Sequence, residues 1–154
     1  LHPEDSNAGR AQRFLTQLTE LMGVSVRIDV AEEEDKHLFV RMQGDTLGVL
    51  IGRRGETLDA IQYLTSLVVN RRQEEYVRVT LDTENYRAKR EEALRRLAMR
   101  MANRAVKTGR RVVLEPMNPY ERRILHASLQ GHPQVTTHSE GEEPNRRIVI
   151  TLKK

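Results

Sequence analysis

Gly52-Arg53-Arg54-Gly55 stands between two apolar segments of helical period, and no other stretch limits the possible folds of this chain as strongly. Leu47, Leu50 and Ile51 precede it, and Leu58, Ile61, Leu64 and Val68 follow at helical spacing, so the turn joins two helices. Gly52 and Gly55 lack a Cβ, which admits φ > 0 and lets a bulky group approach the backbone closely. Arg53 and Arg54 project from that turn with paired donors suited to phosphate oxygens. A helix beginning at Gly55 adds free N–H groups and a positive dipole end. The stretch is an anion site made largely of backbone.

Upstream, residues 1–10 are polar and without pattern, which predicts a disordered lead-in. From Ala11, the residues Phe14, Leu15, Leu18, Leu21 and Met22 trace one helical face that Gly23 stops. The period then changes to two. Val24, Val26, Ile28 and Val30 alternate with polar residues, as do Leu38, Val40 and Met42 after the turn Glu32-Glu33-Glu34-Asp35, which predicts a hairpin. Asp45 or Thr46 is placed to cap the short helix leading into the glycine turn. The next helix is expected over about 56–70, and Val77, Val79 and Leu81 alternate in a third strand.

A long helix is predicted over about 83–107, with Leu94, Leu97, Met101 and Ala105 on one stripe and Gly109 ending it. Arg96, Arg100 and Arg104 recur every four residues on another face; phosphate contact and an ordinary solvated face both fit that row. In Asn118-Pro119-Tyr120-Glu121-Arg122-Arg123, Asn118 reads as an N-cap, Pro119 as the first helical residue and Glu121 as the closing member of a capping box. Arg122 and His126 are four apart and share one face of that helix, with Ile124, Leu125 and Leu129 turned inward. Strands are predicted at Val112–Leu114, Val135–His138 and Ile148–Leu152, the last two joined by a turn over 141–145.

Charge separates the two halves. Residues 1–86 carry 10 basic and 15 acidic side chains, net −5, whereas residues 87–154 carry 16 and 7, net +9. The second half therefore has the footprint of a polyanion binder. Only five of the 26 basic residues are lysine, a bias toward planar bidentate donors that a GC-rich genome or a thermophile would also produce. An aromatic share of 4% rules out a large stacking platform, and the absence of cysteine removes thiolate metal sites and disulfides. Neither a membrane-length apolar run nor a signal peptide is visible, which points to the cytoplasm. The chain opens on Leu1 rather than methionine, which predicts a fragment lacking an N-terminal piece.

The order α-β-β-α-turn-α-β, with the glycine turn between its second and third helices, resembles the bacterial, type II KH domain, a fold in which the G-x-x-G turn clamps nucleic-acid backbone. The Arg-x-x-x-His pair on the Asn-Pro-Tyr-Glu-Arg helix, with Ser139-x-Gly141 and the final strand, resembles the R-three-H domain, a small binder of single-stranded nucleic acid. A KH domain followed at once by an R-three-H domain is similar to the Jag family, bacterial RNA-binding proteins linked to cell elongation and to the membrane insertase system. Members usually carry an N-terminal Jag domain as well, which agrees with a missing start.

The expected class is α+β: a lead-in over 1–10, a type II KH domain over 11–83, and a small α/β R-three-H domain over 84–154 that includes the long connecting helix. The resemblance implies single-stranded RNA, or single-stranded DNA, as ligand, with Ile51, Gly52, Arg53, Arg54, Gly55 and Leu58 forming the KH site. Arg122, Arg123 and His126, extended by Arg96, Arg100 and Arg104, form the second. It also implies a small stand-alone KH protein, or a second copy, as protein partner; pairing of that kind with RNA binding secondary is the alternative function. No cofactor or metal is expected. A nucleotide-binding enzyme fails on spacing, because Gly48, Gly52 and Gly55 lack the lysine and hydroxyl of a P-loop and the strand–turn–helix setting of a dinucleotide fingerprint. His126, His132 and His138 are spaced too widely for ligands on one helix, and no Ser/His/Asp constellation can be assembled. The sequence therefore reads as a non-enzyme.

Overall fold

A computed structural model describes residues 2–45 and 47–154. The chain divides into two compact units, Leu1–Arg87 and Ala88–Lys154, each with its own apolar core. The class is α+β, as expected.

The first unit runs α1 (Asn7–Leu21), β1 (Val26–Glu33), β2 (His37–Gly44), α2 (Gly48–Ile51), a single 3-10 turn (Arg53–Gly55), α3 (Glu56–Asn70) and β3 (Arg78–Thr83). β1 and β2 form the predicted antiparallel hairpin, while β3 lies parallel to β2 on its other side. Parallel neighbours need a crossover, and α2, the glycine turn and α3 supply it. Register places Ile28, Met42 and Thr83 in one row and Val30, Val40 and Leu81 in the next, all facing the helices. Ala11 and Leu15 from α1 and Leu58, Ile61 and Val69 from α3 close that core.

Three expectations change here. The residues before Ala11 are structured, because the Ser6 hydroxyl caps α1 by accepting from Gly9 N–H at 3.0 Å and Ala8 is fully buried. The N-cap of α2 is Leu47 without a side-chain hydrogen bond, so Asp45 does not cap it; Thr46 lies outside the described residues. Leu64, read as part of the inner face of α3, is exposed with Tyr63 and Leu67, because the inner row is Leu58, Ile61, Thr65 and Val69.

α4 (Tyr86–Thr108) begins at the end of the first unit. The second unit continues with β4 (Val112–Val113), α5 (Pro119–Leu129), β5 (Val135–Glu140) and β6 (Arg147–Leu152). Its sheet has the antiparallel order β4-β6-β5, with β6 central, which its consecutive buried residues Ile148, Val149 and Ile150 reflect. The buried row of α4 is Leu94, Ala98, Ala102 and Ala105, so Leu97 and Met101 flank the core rather than fill it. Alanine at three of four contact positions lets the helix sit close to its neighbours.

Candidate nucleic-acid interface

The glycine turn is built by backbone conformation. Gly52 ends α2 at φ 70°, Arg54 takes φ 56° and Gly55 φ 77° before α3 starts at Glu56. Gly52 N–H donates to Gly48 carbonyl at 2.9 Å, and Gly55 N–H to Gly52 carbonyl at 3.3 Å. A Cβ on Gly52 would stand 2.1 Å from Thr57 Oγ1, and one on Gly55 would stand 2.6 Å from the Tyr86 ring. The bulky group approaching Gly55 is thus Tyr86 of the same unit. Arg53 is exposed and makes no ion pair among the described residues, whereas Arg54 is half-buried.

One further side chain braces the turn. Arg87 donates to Asp59 at 2.7 Å, to Gln62 at 3.0 Å and to Leu81 carbonyl at 2.8 Å, tying the first turns of α3 to the end of β3. Of the two carboxylates in the first turn of α3, Asp59 is consequently neutralised. Leu58, which the resemblance gives to the KH site and whose apolar side chain equally suits the core, is fully buried in the core. Ile51 is half-buried, and the apolar side chain standing in solvent beside it is Val49. Val49 was missed because it falls out of phase with Leu47, Leu50 and Ile51.

On α5 the local reading holds at its start. Asn118 Oδ1 accepts from Glu121 N–H at 2.8 Å, and Pro119 is the first helical residue. Glu121 does not close a capping box; its carboxylate is buried and accepts from Arg90 Nε at 2.8 Å. Arg122 departs furthest from a surface role. Its side chain is 10% exposed, donates to the Met117 carbonyl and is ion-paired with Glu143, with a longer contact of 3.5 Å to Arg146 carbonyl. It clips the chain entering α5 to the β5–β6 turn. Arg146 completes that turn by donating to Ser139 Oγ at 2.6 Å and to Gly141 carbonyl.

His126 is half-buried, its Nδ1 2.7 Å from Thr137 Oγ1 on β5. Burial pushes its pKa below the ordinary 6.5, helped by the positive charge of Arg122 and by His138. Arg123 is exposed and has no ion pair among the described residues. On α4, Arg96 Nη1 reaches Glu92 at 3.4 Å, while Arg100 and Arg104 are exposed and unpaired among the described residues. Exposed Lys89 and Lys107 lie on the same outer face, seven residues before Arg96 and seven after Arg100. The four-residue interval that singled out the arginines skips them; a seven-residue interval, two turns of the helix, finds both.

A unit of order α-β-β-α-α-β with a glycine-bounded turn in its crossover, followed by a unit whose Asn-Pro-capped helix carries Arg and His four apart, defines a tandem KH and R-three-H protein. Residues 10–81 match the KH domain of KhpA/KhpB, and residues 92–152 match the R-three-H domain. Both are binding domains rather than enzymes. The RNA-binding protein KhpB of Clostridium symbiosum is 51% identical over 146 residues, which is 94% of this chain and 66% of that protein. Its counterpart of the same name in Bacillus subtilis is 39% identical over 94% of this chain and 70% of its own, and that of Lactiplantibacillus plantarum 34% identical over 92% and 44%. The chain belongs to the KhpB family, the Jag family of the resemblance, and spans about two thirds of the length of its first two relatives. Among the described residues no helix is long and apolar enough to cross a membrane.

Proposed function

We propose that this chain binds single-stranded RNA through two cationic sites, one on each unit, with binding and not chemistry as its activity. The observation that carries the reading is the glycine turn, which holds Arg53 out in solvent beside the N-terminus of α3 with no carboxylate partner among the described residues. Phosphate oxygens fit such a turn. The second site draws on Arg123, the Nε2 side of His126 and the α4 row Arg96, Arg100 and Arg104. Leu58 and Arg122 serve from inside, holding the elements that present these groups. On the family resemblance, the output is post-transcriptional regulation in the cytoplasm, linked to cell elongation or envelope processes. Fluorescence anisotropy with a labelled single-stranded RNA tests the reading: micromolar or tighter binding that weakens with salt is expected, and salt-independent or absent binding overturns it.

A second reading rests on the outer face of α3, where Tyr63 is 65% and Leu67 51% exposed beside Leu64 and Tyr76. A small stand-alone KH protein, or a second copy, is the partner this face suits. A complex that survives RNase treatment favours this reading, and a complex that dissolves favours RNA as the bridge.

A further inference from the structure

In the second unit a cleft of about 670 Å³ opens between α4 and α5, bounded by Glu91, Arg95 and Met99 on one helix and Tyr120, Arg123 and Ile124 on the other. Its volume lies in the range of small-molecule clefts and leaves ample room for one planar aromatic group. Tyr120 is 58% and Met99 45% exposed, so a phenol ring and a thioether stand in water over a floor that includes Ile124. The one carboxylate in the cleft is already engaged, since Glu91 is ion-paired with Arg95 and accepts from Tyr120 hydroxyl at 3.3 Å. Arg123 carries the remaining charge. The cleft therefore offers an aromatic face, apolar walls and a cation without an ion pair among the described residues, with its anionic charge cancelled.

An aliphatic peptide would gain little from that cationic rim. A base attached to a phosphate uses both halves of it. We infer that the cleft receives one nucleobase of a single-stranded chain, stacked on Tyr120 against Met99 and Ile124, with the adjoining phosphate at Arg123. This subsite rests on the RNA-binding reading and is centred apart from the Arg122–His126 pair: at about 100° per residue, Tyr120, Arg123 and Ile124 centre roughly 130° around the α5 axis from that pair, with Arg123 on the side nearer His126.

The test compares a fluorescein-labelled mixed-sequence RNA with an RNA of equal length in which every base is replaced by an abasic ribose, both titrated into the whole chain. Tyr120→Ala is expected to weaken mixed-RNA binding about tenfold and to leave abasic binding unchanged, since stacking acts on the base alone. Tyr120→Phe keeps the ring and should bind as wild type. Arg123→Gln should weaken both RNAs and lower the salt slope by about 0.7. Equal losses on both RNAs with Tyr120→Ala assign the ring to structure and overturn the subsite. Unchanged mixed-RNA binding overturns it too, as does a change in sedimentation in place of RNA affinity, which assigns the cleft to a second copy. If Arg53→Asp still impairs RNA binding in those cases, only the subsite falls; if wild type binds neither RNA, the functional reading falls with it.

Discussion

The two arginine motifs of this chain are alike in sequence and opposite in structure. At the glycine turn, positive φ at Gly52, Arg54 and Gly55, on either side of Arg53, turns that side chain outward, and it has no ion pair among the described residues. On α5, Arg122 is drawn inward by a carbonyl and a carboxylate until its side chain is 10% exposed. An arginine in a binding motif can therefore be the contact or the bracket that holds the contact. What separates the two is whether the chain's own acceptors satisfy the guanidinium first.

That contrast is broken most severely at Gly55. Valine there must adopt φ 77° and displace the Tyr86 ring, so a loss of about 3 kcal/mol is expected from strain and overpacking together. Chemical denaturation measures it. Gly55→Ala should be partly relieved by Tyr86→Ala in a double-mutant cycle, and strictly additive effects would remove Tyr86 from the support of the turn. Arg122→Ala should come next, at about 2 kcal/mol, because it strands the Met117 carbonyl and frees a half-exposed Glu143. Its RNA affinity, measured well below the melting temperature, should change little. A strong affinity loss with unchanged stability would return Arg122 to the contact surface.

Arg53→Asp sharpens the same comparison from the other side. Its melting temperature should stay within a degree or so, as for other exposed positions, while RNA affinity falls about tenfold at low salt and the salt slope flattens. Arg54→Asp cannot serve as a matching control, because Arg54 is half-buried in a left-handed conformation. A variant at 53 that binds RNA as wild type does would sink the clamp.

Most of the fold was legible because its signals are local. The switch from period 3.6 to 2 after Gly23, the hairpin, the glycine turn and the Asn118–Pro119 cap are each set by neighbouring residues, and each formed within about two residues of where it was expected: β1 starts at Val26 and not Val24, and takes in Glu32 and Glu33. Misreadings came where a distant group decided the outcome. Glu121 left the capping box for Arg90, 31 residues away, and Arg122 turned to Glu143, 21 residues on, neither of which spacing along one helix can reveal. Leu58 and Leu64 exchanged places between core and surface, because both suit an apolar stripe and only the packing of α1 and the sheet chooses the side. Tyr120 was read as part of a cap signal, and its exposure over a cleft depends on Glu91 and Met99 of another helix.

The smallest effect concerns His126, and it reverses an expectation drawn from the residue type alone. An unperturbed imidazole would gain charge near pH 6 and with it attraction for phosphate. Here burial, Arg122 and then His138, itself 2.6 Å from Glu140, all disfavour the charged ring. Well above pH 7 the ring is neutral in the folded and unfolded chains alike and contributes nothing to their difference. As pH falls below 6.5 the unfolded chain takes the proton first, so stability declines through the folded pKa. His126→Gln should remove that acid-side decline while keeping a partner for Thr137, and the two stability curves should converge above pH 7. RNA affinity of wild type and variant should differ little at pH 6 and separate only at lower pH. An NMR titration of the imidazole Cε1 proton decides it: a midpoint at or above 6.5 in the free protein would show that the site tolerates the charge, and His126 would then meet phosphate as a cation, like Arg53, and not as a neutral ring.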